Sequence, residues 1–194
     1  MARQIDITKM ERVKQSAIEL IVSEGYGGAS IAKIARGASV AEGYLYRFYS
    51  SKTELVSGIL QESMNMIISS IEESVNSNTP VNEILAKSIS MLFELAKSDM
   101  ARMKFIYVLI NDYNFSVDDK LRSRIVEISG QICEKGKNSG MLKDNIEAED
   151  IYLVTVLMPI QLINSRFKGT FGKNELDQYS LEKTIKFCID ALLR

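Results

Sequence analysis

The chain has no histidine, no tryptophan, two prolines and two cysteines among its 194 residues. Without His there is no imidazole general base, no Ser-His-Asp or Cys-His pair and no His-ligated zinc. Cys133 and Cys188 stand far apart and are too few for a four-Cys metal site or a disulfide framework. They read as two reduced thiols packed as small hydrophobes, which suits a cytoplasmic setting. No long apolar run is present either. The stretch Ile151 to Ile160 contains Thr155 and Pro159 and stops at Gln161, far short of the ~20 residues a membrane-spanning helix needs. The first residues, Met1-Ala-Arg-Gln-Ile-Asp, lack the apolar segment of a secretion signal. The expectation is a cytoplasmic protein with no membrane partner, no cofactor, no metal and no enzymatic activity.

Excess charge of one sign is also missing. There are 24 Lys and Arg against 25 Asp and Glu, a net charge of −1. Such a balance gives no bulk electrostatic reason to expect nucleic acid. The charge is unevenly spread, however. Residues 1–60 hold eight basic and six acidic side chains, while the remainder holds sixteen and nineteen. A mildly basic head is averaged with an acidic body.

What is present is helical periodicity. Thr8 and Glu11 have the spacing of a capping box, and Met10, Val13, Ala17, Leu20 and Ile21 recur at helical intervals until Gly25. Ser30 can cap a short helix over 31–36. After the turn Gly37-Ala38-Ser39-Val40, a second short helix is expected over 41–48. Ser51 and Glu54 form another capping box that opens a long helix to Asn76. Further helices are expected over 81–98, 100–111, 117–138, 149–167 (kinked at Pro159) and 178–193. The fold class is all-α, with about nine helices. A three-helix head over residues 1–54 precedes a larger helical domain over 55–194.

Two short helices joined by a three- to four-residue turn are the skeleton of a helix-turn-helix. Ile34 and Ala35 face inward, Val40 plugs the turn and Leu45 anchors the second short helix. That helix is then free to present Ala41, Glu42, Tyr44 and Arg47. Lys52 adds a full charge to the first turn of the long helix, where the macrodipole already favours phosphate. Tyr26 and Phe48 are expected in the core of the head.

The segment resembles the TetR family of bacterial transcriptional regulators. The resemblance rests on Ser-Glu-Gly-Tyr at 23–26, Ser30 before Ile34-Ala35, Ala38, Val40, Gly43, Leu45-Tyr46, the aromatics at 48 and 49, Ser51-Lys52 and Glu54-Leu55. It is clearest over about residues 8–56, with a fainter echo at 134–142. It implies that Glu42, Gly43 and Tyr44 face base edges and that Tyr46 and Lys52 hold the DNA backbone, with Lys33 and Arg47 as phosphate neighbours. Glu42 suits a cytosine amino group and Tyr44 a thymine methyl. Two positions depart from the family pattern, which usually has Gly at 39 and a Ser or similar polar residue at 41. Ser39 either holds a positive φ at a cost of ~1 kcal/mol or adjusts the turn, and Ala41 has no hydroxyl to cap its helix.

Beyond the head, the resemblance implies a homodimer built on the last two helices, with Leu153, Val156, Leu157, Ile160, Ile185, Ile189 and Leu192 as interface residues. It also implies a pocket for a small, largely apolar effector, with Met64, Met91, Phe93, Met103 and Tyr107 as candidate lining residues. The expected function is a homodimeric repressor released from a palindromic double-stranded DNA operator by that effector. The alternatives are a ligand-independent or architectural DNA-binding factor of the same fold, or an all-α enzyme or lipid carrier whose N-terminal helices only resemble the motif. The missing His and the lack of any convergent polar set weigh against the last.

Overall fold

The computed structural model describes residues 7–172 and 174–194. Among these residues there are nine helices and no strand. They are α1 (Ile7–Gly28), α2 (Ile31–Gly37), α3 (Glu42–Leu45), α4 (Lys52–Asn76), α5 (Val81–Ser98), α6 (Met100–Ile110) and α7 (Asp119–Asn138). Then come α8, which runs through Ala148–Tyr152, a π-helical turn at Leu153–Leu157 and Met158–Phe167, and α9 (Gln178–Leu192). Among the described residues no helix is long and apolar enough to cross a membrane.

Contacts divide the chain into two compact units. The first holds residues up to Ser63 together with Ala101–Val117; the second holds Met64–Met100 and Asp118–Arg194. The segment carrying α6 therefore groups with the N-terminal helices, although some forty residues of sequence separate them.

Most helix ends follow the capping chemistry of the sequence. Ser30 accepts the Lys33 amide at 3.2 Å and starts α2. Ser51 accepts the Glu54 amide at 3.1 Å, as its capping box requires. The returning carboxylate reaches one residue further than expected: Glu54 Oε2 accepts both the amide and the hydroxyl of Ser50, each at 2.6 Å. These two bonds hold the Glu54 carboxyl below its ordinary range. Thr8, expected ahead of the first helix, already lies within it. Gly25 interrupts the range of α1 with φ 74° and ψ 171°, so the regular helix ends there as its sequence suggests.

The turn after α2 is a complete Schellman motif. Ser39 N–H donates to Arg36 O at 3.1 Å and Val40 N–H donates to Ala35 O at 3.0 Å. Ser39 takes φ +55°, the one positive φ of a non-glycine residue among the described residues. The same bonding closes α7 at Gly140 and α8 at Gly169, where glycine holds the left-handed position.

The helix expected over 41–48 is shorter than that. Only Glu42–Leu45 is regular, and residues 46–48 continue as turns. Ala41 makes no side-chain cap bond, and the one-turn helix is held by its anchor, Leu45, which is fully buried.

Pro159 acts on α8 through the backbone ahead of it. Proline lacks an N–H and its ring crowds the carbonyl four residues back. The chain answers with the π-helical turn, in which Met158 N–H donates to Leu153 O. In that register the next donor would be residue 159, which has none, and its acceptor would be the Val154 carbonyl. Cys188 of α9 supplies the hydrogen instead, its Sγ lying 3.2 Å from Val154 O. Burial pushes this thiol up to about 12, which keeps it a protonated donor. Cys133 is also free and buried.

Candidate nucleic-acid interface

The head is built around α1. Val13, Ala17, Ile21, Ile34 and Ala35 are buried between α1 and α2, and Ala38 and Leu45 complete the cluster. Ser16 Oγ donates to Ile34 O at 3.0 Å, and Gly37 leaves the room this needs, because a Cβ there would lie 2.3 Å from Ser16 Oγ. Arg12 Nε donates to Ala38 O at 3.1 Å and ties α1 to the turn before α3.

This packing gives α3 two sides. With Leu45 inward, Glu42, Gly43, Tyr46 and Arg47 are exposed, and Tyr46 keeps 56% of its surface. A Cβ on Gly43 would meet nothing within 4 Å, so internal packing does not account for its lack of a side chain. Tyr44 is half-buried, edge-on to Phe48 with ring centres 5.1 Å apart. The Arg47 guanidinium stands over the same Phe48 ring at 5.8 Å. Phe48 is thus half-buried, while Tyr26 is fully in the core.

The two lysines have protein partners. Lys33 Nζ pairs with Glu24 Oε2 at 2.6 Å and donates to Gly28 O at 2.9 Å. Lys52 Nζ donates to the carbonyls of Tyr26 at 2.8 Å and Ala29 at 3.1 Å, and lies 3.9 Å from the centre of the Tyr26 ring. Burial lowers the Lys52 ammonium below its ordinary range, and the Asp112 carboxylate opposes that shift. Two of its three donors are occupied, so this cation holds the end of α1 as well as standing at the start of α4.

The candidate dimer residues fall into two groups. Ile160 and Leu192 are buried within one chain, whereas Val156, Leu157, Ile185 and Ile189 are partly covered and Leu153 is exposed. Beside them runs an apolar groove of about 240 Å³ between α8 and α9, lined by Met158, Leu162, Thr184 and Phe187 among others. Phe187 and Tyr179 are both more than 60% exposed. Both lie off the apolar stripe of α9; large aromatics on the polar side of an amphipathic helix are the signal that marks them. Of the candidate effector residues, Met64, Phe93 and Met103 are buried, and Met91 and Tyr107 are half-buried.

Comparison with known proteins agrees with this geometry. Residues 15–59 match the family described as bacterial regulatory proteins, tetR family. A fatty acid metabolism regulator protein of Bacillus subtilis is 25% identical over 142 residues, covering 72% of this chain and 73% of its own. The HTH-type transcriptional activator FasR of Mycolicibacterium smegmatis is 25% identical over 179 residues, covering 91% of this chain and 80% of its own. Among solved structures, the regulator FadR from Bacillus subtilis in complex with stearoyl-CoA has a TM-score of 0.72 at 21% identity, covering 92% of this chain and 97% of that one. Residues 15–59 thus match the DNA-binding segment of the tetR family, and the chain as a whole has the fold of solved TetR-family regulators.

Proposed function

We propose that the protein is a homodimeric repressor that leaves a palindromic operator when it binds a long-chain acyl effector. In this reading residues 1–54 bind DNA and residues 55–194 dimerise and take the effector. Each protomer lays α3 and the turns to residue 48 in a major groove. Glu42, Gly43 and Tyr44 meet base edges, and Tyr46 and Lys52 meet phosphates, flanked by Lys33 and Arg47. Two-fold symmetry then sets half-site centres roughly 34–36 Å apart. The sidedness of residues 42–47 carries the DNA half of the reading: one residue is buried and the polar and aromatic neighbours project.

The dimer half is supported by the apolar face of α8 and α9, where Leu153, Tyr179 and Phe187 are exposed around the groove. Such a face on a chain of this size favours a second copy of itself. Met64, Met91, Phe93, Met103 and Tyr107 are the candidate effector contacts, and their apolar, adaptable character suits an alkyl chain. The fatty acid regulator among the relatives points the same way. The protein acts by binding, not by catalysis. Because FasR is named as an activator, a second reading has the same dimer activating transcription from its site. Selecting duplexes from a random pool and titrating the selected DNA with stearoyl-CoA tests the proposal; a reporter gene behind the selected site gives the sign of regulation.

A further inference from the structure

The strongest unexplained cluster in the molecule gathers on Tyr26, at the elbow between α1 and α2. Four side chains from two distant stretches of sequence converge there. Thr53 and Lys52 come from the start of α4. The Tyr26 hydroxyl is 2.8 Å from Thr53 Oγ1, and the Lys52 ammonium binds the Tyr26 carbonyl and covers its ring. Asp112 and Phe115 come from the segment after α6. Asp112 Oδ2 accepts the Tyr26 amide at 3.3 Å, and Phe115 meets the Tyr26 ring edge-on at 5.1 Å.

Asp112 is itself held in place. Its Oδ1 accepts the Asn114 amide at 2.8 Å, an Asx turn that fixes the carboxylate, and Phe115 N–H donates to Asp112 O at 3.1 Å. On the other side, the left-handed conformation of Gly25 turns the chain so that the next amide, that of Tyr26, faces Asp112. The Asp112 charge also favours the Lys52 ammonium against burial. One carboxylate thus serves the elbow of the head and the cation at the start of α4 together.

We infer that Asp112 is a positioning residue for the DNA-binding head, and that the Asp112–Phe115 segment is the grip through which α6 acts on it. Met103 and Tyr107, two of the candidate effector contacts, lie on α6 itself, five to nine residues before Asp112. A shift of α6 on effector binding therefore reaches Tyr26 and Lys52 directly, without first bending α4. This transmission step rests on the acyl-effector reading above, whereas the positioning role does not. For the two ends to be coupled, the effector must bind one arrangement of the grip better than the other.

The test compares the intact protein with Asp112→Ala, which removes acceptor and charge, Asp112→Asn, which keeps an acceptor oxygen, and Tyr113→Ala, a fully exposed neighbour. Hydrogen exchange of the free proteins reads the positioning. Asp112→Ala is expected to speed exchange at residues 26–30 by about tenfold while α7 is unchanged; Asp112→Asn recovers part of the protection and Tyr113→Ala matches the parent. Exchange at 26–30 within about twofold of the parent in Asp112→Ala overturns the positioning role. Stearoyl-CoA is then titrated into each protein on a selected duplex, and its affinity for the free protein is measured separately. Transmission predicts that Asp112→Ala shrinks the stearoyl-CoA-induced loss of DNA affinity at least about threefold while stearoyl-CoA itself binds as before. An undiminished response in Asp112→Ala overturns transmission. If the parent protein does not respond to stearoyl-CoA, the acyl-effector reading fails with the transmission step, and the exchange result alone decides the role of Asp112.

Discussion

Ser39, at φ +55°, donates its amide to the Arg36 carbonyl at 3.1 Å and so holds the left-handed position of the turn between α2 and α3. A residue with a Cβ is strained in that region by roughly 1–2 kcal/mol relative to glycine. Ser39→Gly should therefore raise stability by about 1 kcal/mol, part of the gain being lost to the greater freedom of Gly in the unfolded chain. Urea denaturation checks this: the midpoint should rise with an unchanged slope. The β-branched Ser39→Val should lower it.

The proposed reading gives Lys52 two roles. Lys52→Ala should weaken binding to all duplexes about equally and reduce the salt slope of binding by roughly one. The same change also removes two hydrogen bonds to the Tyr26 and Ala29 carbonyls and should cost on the order of 1–2 kcal/mol of stability. Binding at several salt concentrations and thermal melting separate the two effects. Tyr44→Ala should behave differently, altering base preference at one position in each half-site.

In the second unit, Arg124 forms a two-point pair with Glu72, Nε to Oε1 at 2.9 Å and Nη2 to Oε2 at 2.7 Å, and also reaches Asn65 and Ser69. The pair fastens α7 to α4. The Arg124 hydrogen bonds hold the Glu72 carboxyl below its ordinary range. A depressed folded-state value means that this stabilisation is fully present above the ordinary Glu range and is lost as pH falls through the lower, folded value. Glu72→Gln should make the acid limb of the stability–pH curve shallower below about pH 4.5, as followed by helical signal against urea at each pH.

Phe187 and Tyr179 tie the dimer proposal to a mass measurement. Phe187→Asp puts a charge on the apolar groove of α9 and should shift the protein from dimer to monomer in light scattering. The helical signal should remain, because Phe187 is 64% exposed in one chain. DNA binding should weaken by at least about tenfold as the second half-site is lost.

Much of this was legible in the sequence because the signals were local. Ser30, Ser51 and Gly25 announce helix ends within four residues of themselves, and Ile34, Ala35 and Leu45 announce the packing of the head by their spacing; Val40, expected to plug the turn, is only half-buried, and Ala38 is the buried residue there. The long helix to Asn76 and the helix over 81–98 were readable for the same reason. Three things were not. The early end of α3 is one: residues 46–48 close as turns, with the Phe48 and Tyr49 amides both donating to Leu45 O at 2.9 and 3.0 Å, a winding that apolar spacing does not distinguish from helix. The π-helical turn ahead of Pro159 leaves the Val154 carbonyl to a donor, Cys188, that stands 34 residues on. The Asp112 contact with Tyr26 spans 86 residues, and an Asp in a polar loop carries no sign of the amide it will find. Lys33 and Lys52 stood out as cations, but their partners Glu24, Tyr26 and Ala29 became visible only with the α1–α2 elbow in three dimensions.

Sequence-specific DNA binding that an acyl effector releases is open to a single titration. Fluorescence anisotropy of a palindromic duplex selected from a random pool, with a scrambled duplex as competitor, is followed with and without stearoyl-CoA. Two protomers should bind each palindrome, with a preference of at least about 10³ over the scrambled duplex and a loss of affinity of about tenfold or more when stearoyl-CoA is added. Equal affinity for the selected and scrambled duplexes would rule out sequence-specific recognition, and unchanged affinity with stearoyl-CoA would rule out release by an acyl effector.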